Sequence, residues 1–508
     1  MSLIYVLDLT AVSCLLLVLG YRKYLSRKRL AGVPYPPGPK GLPIIGNVLD
    51  LPETNPWITV QGWSKEYGPL VFIENFGKPY LFLNSYQSMV DLLDKRGHIY
   101  SSRPENAALN LEGWDAWFIT TFPYGDEHRR SRQHLHRFLQ ISKVEDYFDI
   151  QTQATHKLLE GLLNYPDEFF RLIRTWAGRI ILKIAYGHDV ADKNDPLVDI
   201  AEKGLDAFHV AEGVFFLNAF PWLRLFPKYR KLLEEGRKAA RDMHSVPYEF
   251  SRKNFLDGTA IPSISSKLMA ANSNQDGTIS DERLISNVTG VIYAGGSHTT
   301  VATLLTTILA LLLHPDVQKR AQEELDRVVG KNNLPTMKDR PNLPYIDAIF
   351  RECFRWQAVT PLGVAHTATE DDEYMGYRIP AGTTIFANIW AVLRDPQLYP
   401  DPDKFIPERW LPSSSKESPM NSNKIGFGFG RRLCPGRHFA ENSVFIGVSS
   451  ILSMFNIEKA LGEDGKPITP EVDYVSDFVR QPKPFKCVFK PRSAGIPALI
   501  SQAIESAK

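Results

Sequence analysis

The chain has 508 residues, 44% of them hydrophobic, enough to bury a large core and, by length alone, to build about three domains. A formal net charge of +2 excludes the global electrostatic attraction on which nucleic-acid binding depends. Cys14, Cys353, Cys434 and Cys487 lie far apart with no C-x-x-C pair, which excludes a secreted disulfide framework and a zinc site and fits a reducing compartment.

Residues 1–21 contain "SLIYVLDLTAVSCLLLVLG", apolar apart from Asp8 and close to the roughly 20 residues that cross a bilayer, so they predict a transmembrane anchor. A cleaved signal peptide is the alternative, but no basic residue precedes the run and no small-x-small site follows it. Arg22, Lys23, Arg27, Lys28 and Arg29 follow directly, which orients the rest of the chain to the cytosol. Residues 22–50 read as a basic and proline-rich linker, in which Pro34, Pro36, Pro37, Pro39 and Pro43 forbid a helix and favour an extended spacer. No second linker interrupts 51–508, and Pro412 to Lys424 reads as a polar surface loop, so a single large domain is expected rather than three.

Helical patterns dominate that domain. Thr278 with Asp281 offers a capping box, followed by an apolar pattern to His314-Pro315, about 35 residues or roughly 50 Å. A helix of that length has to traverse the core. "DVQKRAQEELDRVVG" continues as an amphipathic surface helix ending at Gly330. Strand-like alternation is confined to short runs such as "LVFIENFG" and "TTIFANIW". The fold class is mainly α with a minor β region.

Toward the C-terminus, "FGFGRRLCPGRHFAE" surrounds Cys434 with glycines and arginines. Pro435 suits the first position of a helix running through "RHFAENSVFIGVSSIL", which puts the thiol at a helix start, where free N–H groups favour a thiolate. Gly428, Gly430 and Gly436 remove side chains around the sulfur, and Arg432 is placed to pair with a carboxylate or phosphate. A dinucleotide fingerprint fails because polar residues precede the glycines and the spacing is wrong. A thiolate facing a glycine-lined slot suits haem iron with a cysteine axial ligand.

On these residues the sequence resembles the cytochrome P450 haem-thiolate monooxygenases: Phe427, Gly430, Arg432, Cys434 and Gly436 match the family's F-x-x-G-x-R-x-C-x-G loop at every fixed position. The resemblance implies the cytochrome P450 fold over 51–508, haem b as cofactor, and Cys434 as the iron's axial ligand. Glu352 and Arg355 in "FRECFRW" look like the family's E-x-x-R pair, locked to the meander arginine, Arg409 in "FIPERW". "AGGSHTT" (294–300) resembles the oxygen-binding segment, with Gly295 and Gly296 giving close approach to the porphyrin and Thr299 the hydroxyl. His298 stands where the family usually has an acid; an imidazole titrating near neutrality can relay protons in its place, or mark non-oxygenase chemistry. "PYGDEHRRSR" is similar to the W-R-x-x-R helix, His128 taking the tryptophan position and Arg132 keeping the arginine that meets a haem propionate. Arg129 and Arg130 are either solvated or part of a face that docks an acidic electron donor.

No flavin or nicotinamide motif is present, so the resemblance implies electrons from NADPH–cytochrome P450 reductase, with cytochrome b5 as an optional second donor, at the endoplasmic reticulum membrane. The implied reaction transfers one atom of O2 to a lipophilic small molecule, with a style resembling fungal terpenoid and polyketide enzymes. Two alternatives stay open here: a haem-thiolate isomerase or dehydratase that uses no external O2, and a haem-binding protein without turnover.

Overall fold

A computed structural model describes residues 32–411 and 420–506. The anchor expected over 1–21, the basic run after it and most of the loop beyond Pro412 lie outside the described residues. The chain divides into two compact units, one drawn from Met1–Pro104 and Ala365–Ala387, the other from Glu105–Val364 and Asn388–Lys508.

The first unit holds helix α1 (Pro56–Tyr67) and strands β1 (Leu70–Asn75), β2 (Lys78–Leu83), β3 (His366–Thr367), β4 (Asp372–Tyr374), β5 (Tyr377–Ile379) and β6 (Thr384–Ala387). β1 and β2 are antiparallel, β6 joins β2 in parallel, and β3 closes the sheet against β6. Phe76 and Gly77, at φ 48° and 74°, form the two-residue turn whose left-handed backbone matches strand twist, and Met375-Gly376 does the same between β4 and β5. The run "TTIFANIW" is a strand only as far as Ala387. Asn388 then accepts a hydrogen bond from the Ala391 N–H and caps a short helix, Ile389–Leu393.

The proline-rich segment is extended, as its composition dictates, but over its described part it is laid on β1 rather than standing off as a spacer. Tyr35 stacks on Phe72 at 5.1 Å, and the Phe72 N–H donates to the Pro37 carbonyl at 2.9 Å. A Cβ at Gly38 would fall 1.9 Å from the Phe72 carbonyl oxygen, so only glycine permits the contact.

The second unit is helical: α2 (Ala107–Glu112), α3 (Asp126–Leu139), α4 (Phe148–Asn164), α5 (Phe169–Tyr186), α6 (Pro196–Gly213), α7 (Pro227–Leu256), α8 (Glu282–Leu313), α9 (Pro315–Val328), α10 (Pro344–Trp356) and α11 (Arg437–Met454). A hairpin of β7 (Phe455–Lys459) and β8 (Cys487–Pro491) follows α11. α8 runs 32 residues, roughly 48 Å. Among the described residues it is the one helix long and apolar enough to cross a membrane, yet 78% of its apolar window is buried inside the unit, as a core helix requires. Its start departs from the capping box read in the sequence. Asp281 is left-handed (φ 56°) and pairs with Arg130 at 2.6 Å, while the Thr278 hydroxyl bonds to Asp276. A carboxylate drawn to a guanidinium on another helix is not available to cap its own.

Glu352 and Arg355, one turn apart on α10, have no exposed surface. Arg355 donates to both Glu352 oxygens (2.9 and 2.8 Å) and to the carbonyls of Leu393, Pro402 and Lys404. The same carboxylate accepts from the Arg409 guanidinium (3.2 Å), the Trp410 indole (3.0 Å) and the Ile406 N–H (2.8 Å). Five donors on one buried anion fix the course of the chain from 393 to 410, just ahead of the cysteine loop. Glu352→Ala strands two buried guanidiniums and is expected to cost about 3–5 kcal/mol, read as a lower urea midpoint. Glu235→Ala, which breaks an exposed pair with Lys231, leaves that midpoint unchanged.

Candidate active site

The cysteine loop is built from its glycines. Gly428 and Gly430 are left-handed (φ 83° and 52°), and the reversal is closed by the Cys434 N–H donating to the Phe427 carbonyl at 2.9 Å. Gly426 admits the ring of Phe354 behind the loop, since a Cβ there would lie 2.3 Å from it, and Phe354 packs on Phe427 at 4.8 Å. α11 begins at Arg437 with Gly436 as its cap, two residues later than Pro435 suggested. Cys434 therefore precedes the helix, yet the N–H groups of Gly436 and Arg437 still turn to its sulfur. Burial pushes the Cys434 thiol above its ordinary value, against those two N–H groups and the charges of Arg132 and Arg437. At this half-buried sulfur desolvation outweighs the local positive field.

Arg132 and Arg437 bring their charges to the sulfur, and Arg432 lies two residues before it in the loop. Arg132 of α3 donates to the Leu433 carbonyl, and Arg432 donates to the Phe122 carbonyl at 2.5 Å. Burial lowers both, and the charge of Arg132 helps bring Arg432 down to about 9. His128, one turn before Arg132, is buried with its ring 5.6 Å from Tyr124. Arg129 and Arg130 are half-exposed and carry acidic partners, Asp126 and Asp281.

α8 is opened at its middle. Between 292 and 302, only Gly295, Gly296, His298 and Thr299 are not buried. Gly295, His298 and Thr299, spaced three and four apart, share a face. A Cβ on Gly295 would meet nothing within 4 Å, and the Thr299 hydroxyl donates to the Gly295 carbonyl at 2.7 Å. Gly296 serves otherwise than its sequence context suggested: a Cβ there would lie 2.5 Å from Ile181, so this glycine admits α5 and not a ligand. Nor does His298 titrate near neutrality. Although part of the residue is exposed, desolvation of the ring, with lesser repulsion from His209 and Arg174, pushes it down to about 3. Ser297 turns away, bonding to the Tyr293 carbonyl at 2.6 Å.

A profile of the Cytochrome P450 family matches residues 36–489. The chain belongs to the cytochrome P450 family. This P450 is 37% identical to cytochrome P450 monooxygenase 208 of Postia placenta over 99% of each chain. It is 36% identical to cytochrome P450 monooxygenase COX1 of Coprinopsis cinerea (97% of this chain, 99% of the relative) and to cytochrome P450 monooxygenase claT of Ampulloclitocybe clavipes (96% and 97%). It is an enzyme of the P450 monooxygenase class, and membership implies a cysteine-ligated haem, O2, an organic substrate and a redox partner. The residues present fit such a group: a half-buried sulfur in a side-chain-poor loop, near half-buried guanidiniums whose mutual repulsion a porphyrin's carboxylates would relieve. Sequence reasoning missed Phe354 and Trp410, which the fold brings from α10 and the meander; a one-dimensional pattern carries no signal for either.

Two measurements test this geometry. Gly295→Ala is expected to leave stability unchanged, whereas Gly296→Ala, driven into Ile181, costs about 1–3 kcal/mol in urea unfolding. Burial also holds His244, stacked on Trp117 at 4.8 Å, down at about 4. Since unfolded histidine titrates near ~6.5, the unfolded chain takes up these protons first. Stability is therefore full above about pH 6.5 and falls as pH drops toward 4, by at most about 1.4 kcal/mol per pH unit for each ring. His298→Gln should flatten that slope in urea midpoints taken across this window.

Proposed function

We propose that the protein is a membrane-bound monooxygenase that inserts one oxygen atom from O2 into a lipophilic small molecule, taking electrons from NADPH through a separate reductase. The observation that carries this reading is the half-buried Cys434 sulfur, held in a loop of left-handed glycines with the Gly436 and Arg437 N–H groups and the Arg132 charge acting on it. When bound, haem supplies the reductive activation of O2 and oxygen transfer to the substrate. Cys434 would hold the haem iron through its sulfur, with Phe427, Gly430 and Gly436 shaping its loop. The backbone N–H groups at its sulfur hold negative charge there and so tune how strongly that charge is donated. Arg132, Arg432 and His128 would hold the porphyrin's carboxylates, the two arginines exchanging the Leu433 and Phe122 carbonyls for charge-assisted partners.

At the opening in α8, Thr299 Oγ1 holds a proton shared with the Gly295 carbonyl, beside the space Gly295 leaves clear. Thr299 is the proposed catalytic hydroxyl, passing that proton onward, and His298 lies one residue away as a neutral group. Glu352, Arg355 and Arg409 serve the scaffold and haem retention.

The remaining parts of the proposal come from composition. Residues 1–21 anchor the chain and the basic run after them leaves the catalytic body on the cytosolic side of the endoplasmic reticulum. An NADPH-dependent reductase supplies electrons, because the chain has no nucleotide fingerprint of its own. By resemblance to the family, residues 108–123 wall the substrate pocket, and the buried Trp114, Trp117, Phe118 and Phe122 in that segment suit an apolar substrate of the terpenoid or polyketide kind.

Cys434→Ser is expected to abolish the thiolate signature of the reduced carbon monoxide complex and all NADPH-dependent product in microsomes containing the reductase. A serine variant that keeps that spectrum overturns the assignment of the ligand. Turnover of wild-type protein without O2 favours the isomerase or dehydratase reading instead.

A further inference from the structure

The His298 ring has a neighbour that the reaction described above does not use. His209 of α6 sits with its ring centroid 6.0 Å from that of His298, tilted by 52°. The two rings do not bond each other, and His209 Nε2 is buried with no partner among the described residues. Around them the surroundings are aromatic. Phe478 lies 6.2 Å from His209 and 5.8 Å from Phe208, and Phe208 packs edge-on against Trp114 and Phe118 at 5.1 and 5.3 Å. The charged groups that reach the pair are Arg174, already paired with Glu202 at 3.2 Å, and Asp206 and Asp477, which act on His209.

We propose that His298 and His209 form a polar subsite at the opening of α8, through which the enzyme selects lipophilic substrates carrying one neutral oxygen function, a hydroxyl or a ketone, over plain hydrocarbons and carboxylic acids. His298 shares the helix face of Gly295 and Thr299, so a group bonded to its ring lies beside the proposed site of oxygen transfer. A neutral imidazole has one donor and one acceptor nitrogen, and a hydroxyl placed between two such rings satisfies both of its own hydrogen-bonding roles. A hydrocarbon leaves His209 Nε2 with its unmet desolvation cost. A carboxylate asks for a cation, and burial keeps both imidazoles from becoming one while Arg174 is committed to Glu202. Selection of this kind follows from buried polar groups that only the right ligand satisfies.

The inference rests on the proposed monooxygenase site for its meaning but not for its test. Haem-loaded protein is dialysed to equilibrium against farnesene, farnesol and farnesoic acid, one carbon skeleton with three end groups. Farnesol should bind about tenfold tighter than either of the others, the worth of one well-placed hydrogen bond. His298→Phe and His209→Phe should each bring farnesol to within about twofold of farnesene, and His298→Asn, which keeps a donor and an acceptor, should retain the preference. An unchanged carbon monoxide spectrum in each variant shows that the fold and the cysteine site are intact. Equal affinity for the three ligands in wild type, including no binding of any, overturns the proposal, as does a farnesol preference that survives both phenylalanine variants. Loss of the thiolate spectrum with the preference intact sinks the haem reading and leaves this one standing.

Discussion

A carboxylate with no contact with water, Glu352, is the fixed point of the helical unit. It accepts from Arg355, Arg409, Trp410 and the Ile406 N–H, and Arg355 in turn holds three carbonyls of the chain leading to the meander. Such a charge is costly in isolation and stabilising only when every lone pair is met, so the arrangement works as an all-or-none clamp. Because Phe354 leaves the same helix to pack on Phe427, the clamp also sets where the cysteine loop begins.

The loop inherits that rigidity and adds an electrostatic demand. Left-handed glycines turn the backbone, the Gly436 and Arg437 N–H groups turn to the sulfur, and two half-buried guanidiniums stand near enough for one to depress the other. Each feature is unfavourable by itself: a desolvated thiol, a crowded pair of cations. Together they specify an occupant with a Lewis acid at its centre and anions at its edge, which is the chemistry of an iron porphyrin. On the far side of the functional reading, α8 places a side-chain-free position, a hydroxyl and a neutral imidazole on one face, in a helix otherwise packed closely along its length.

Much of this was legible in the sequence because it depends on spacing along one element. The cysteine loop, the E-x-x-R turn and the length of α8 are local, set by turn chemistry and by the helical repeat. The errors have a common cause. Asp281 was read as the capping-box partner of Thr278 and is drawn instead to Arg130; Gly296 was read as porphyrin-facing and admits Ile181; His298 was offered as a proton relay titrating near neutrality, and desolvation pushes it well below that. In each case a partner from another helix overrode the local expectation, and a sequence without a fold does not reveal which partner arrives.

The sequence by itself therefore determined the class of chemistry, since a cysteine among glycines and arginines at fixed separations commits the backbone and the charge within a dozen residues. It also determined a mainly helical body, through apolar periodicity. Only the tertiary structure decided which glycine of α8 is open, which imidazole faces which, and how strongly each buried group resists its charge. Those properties come from desolvation and from contacts between elements remote in the chain, and both exist only once the helices have packed.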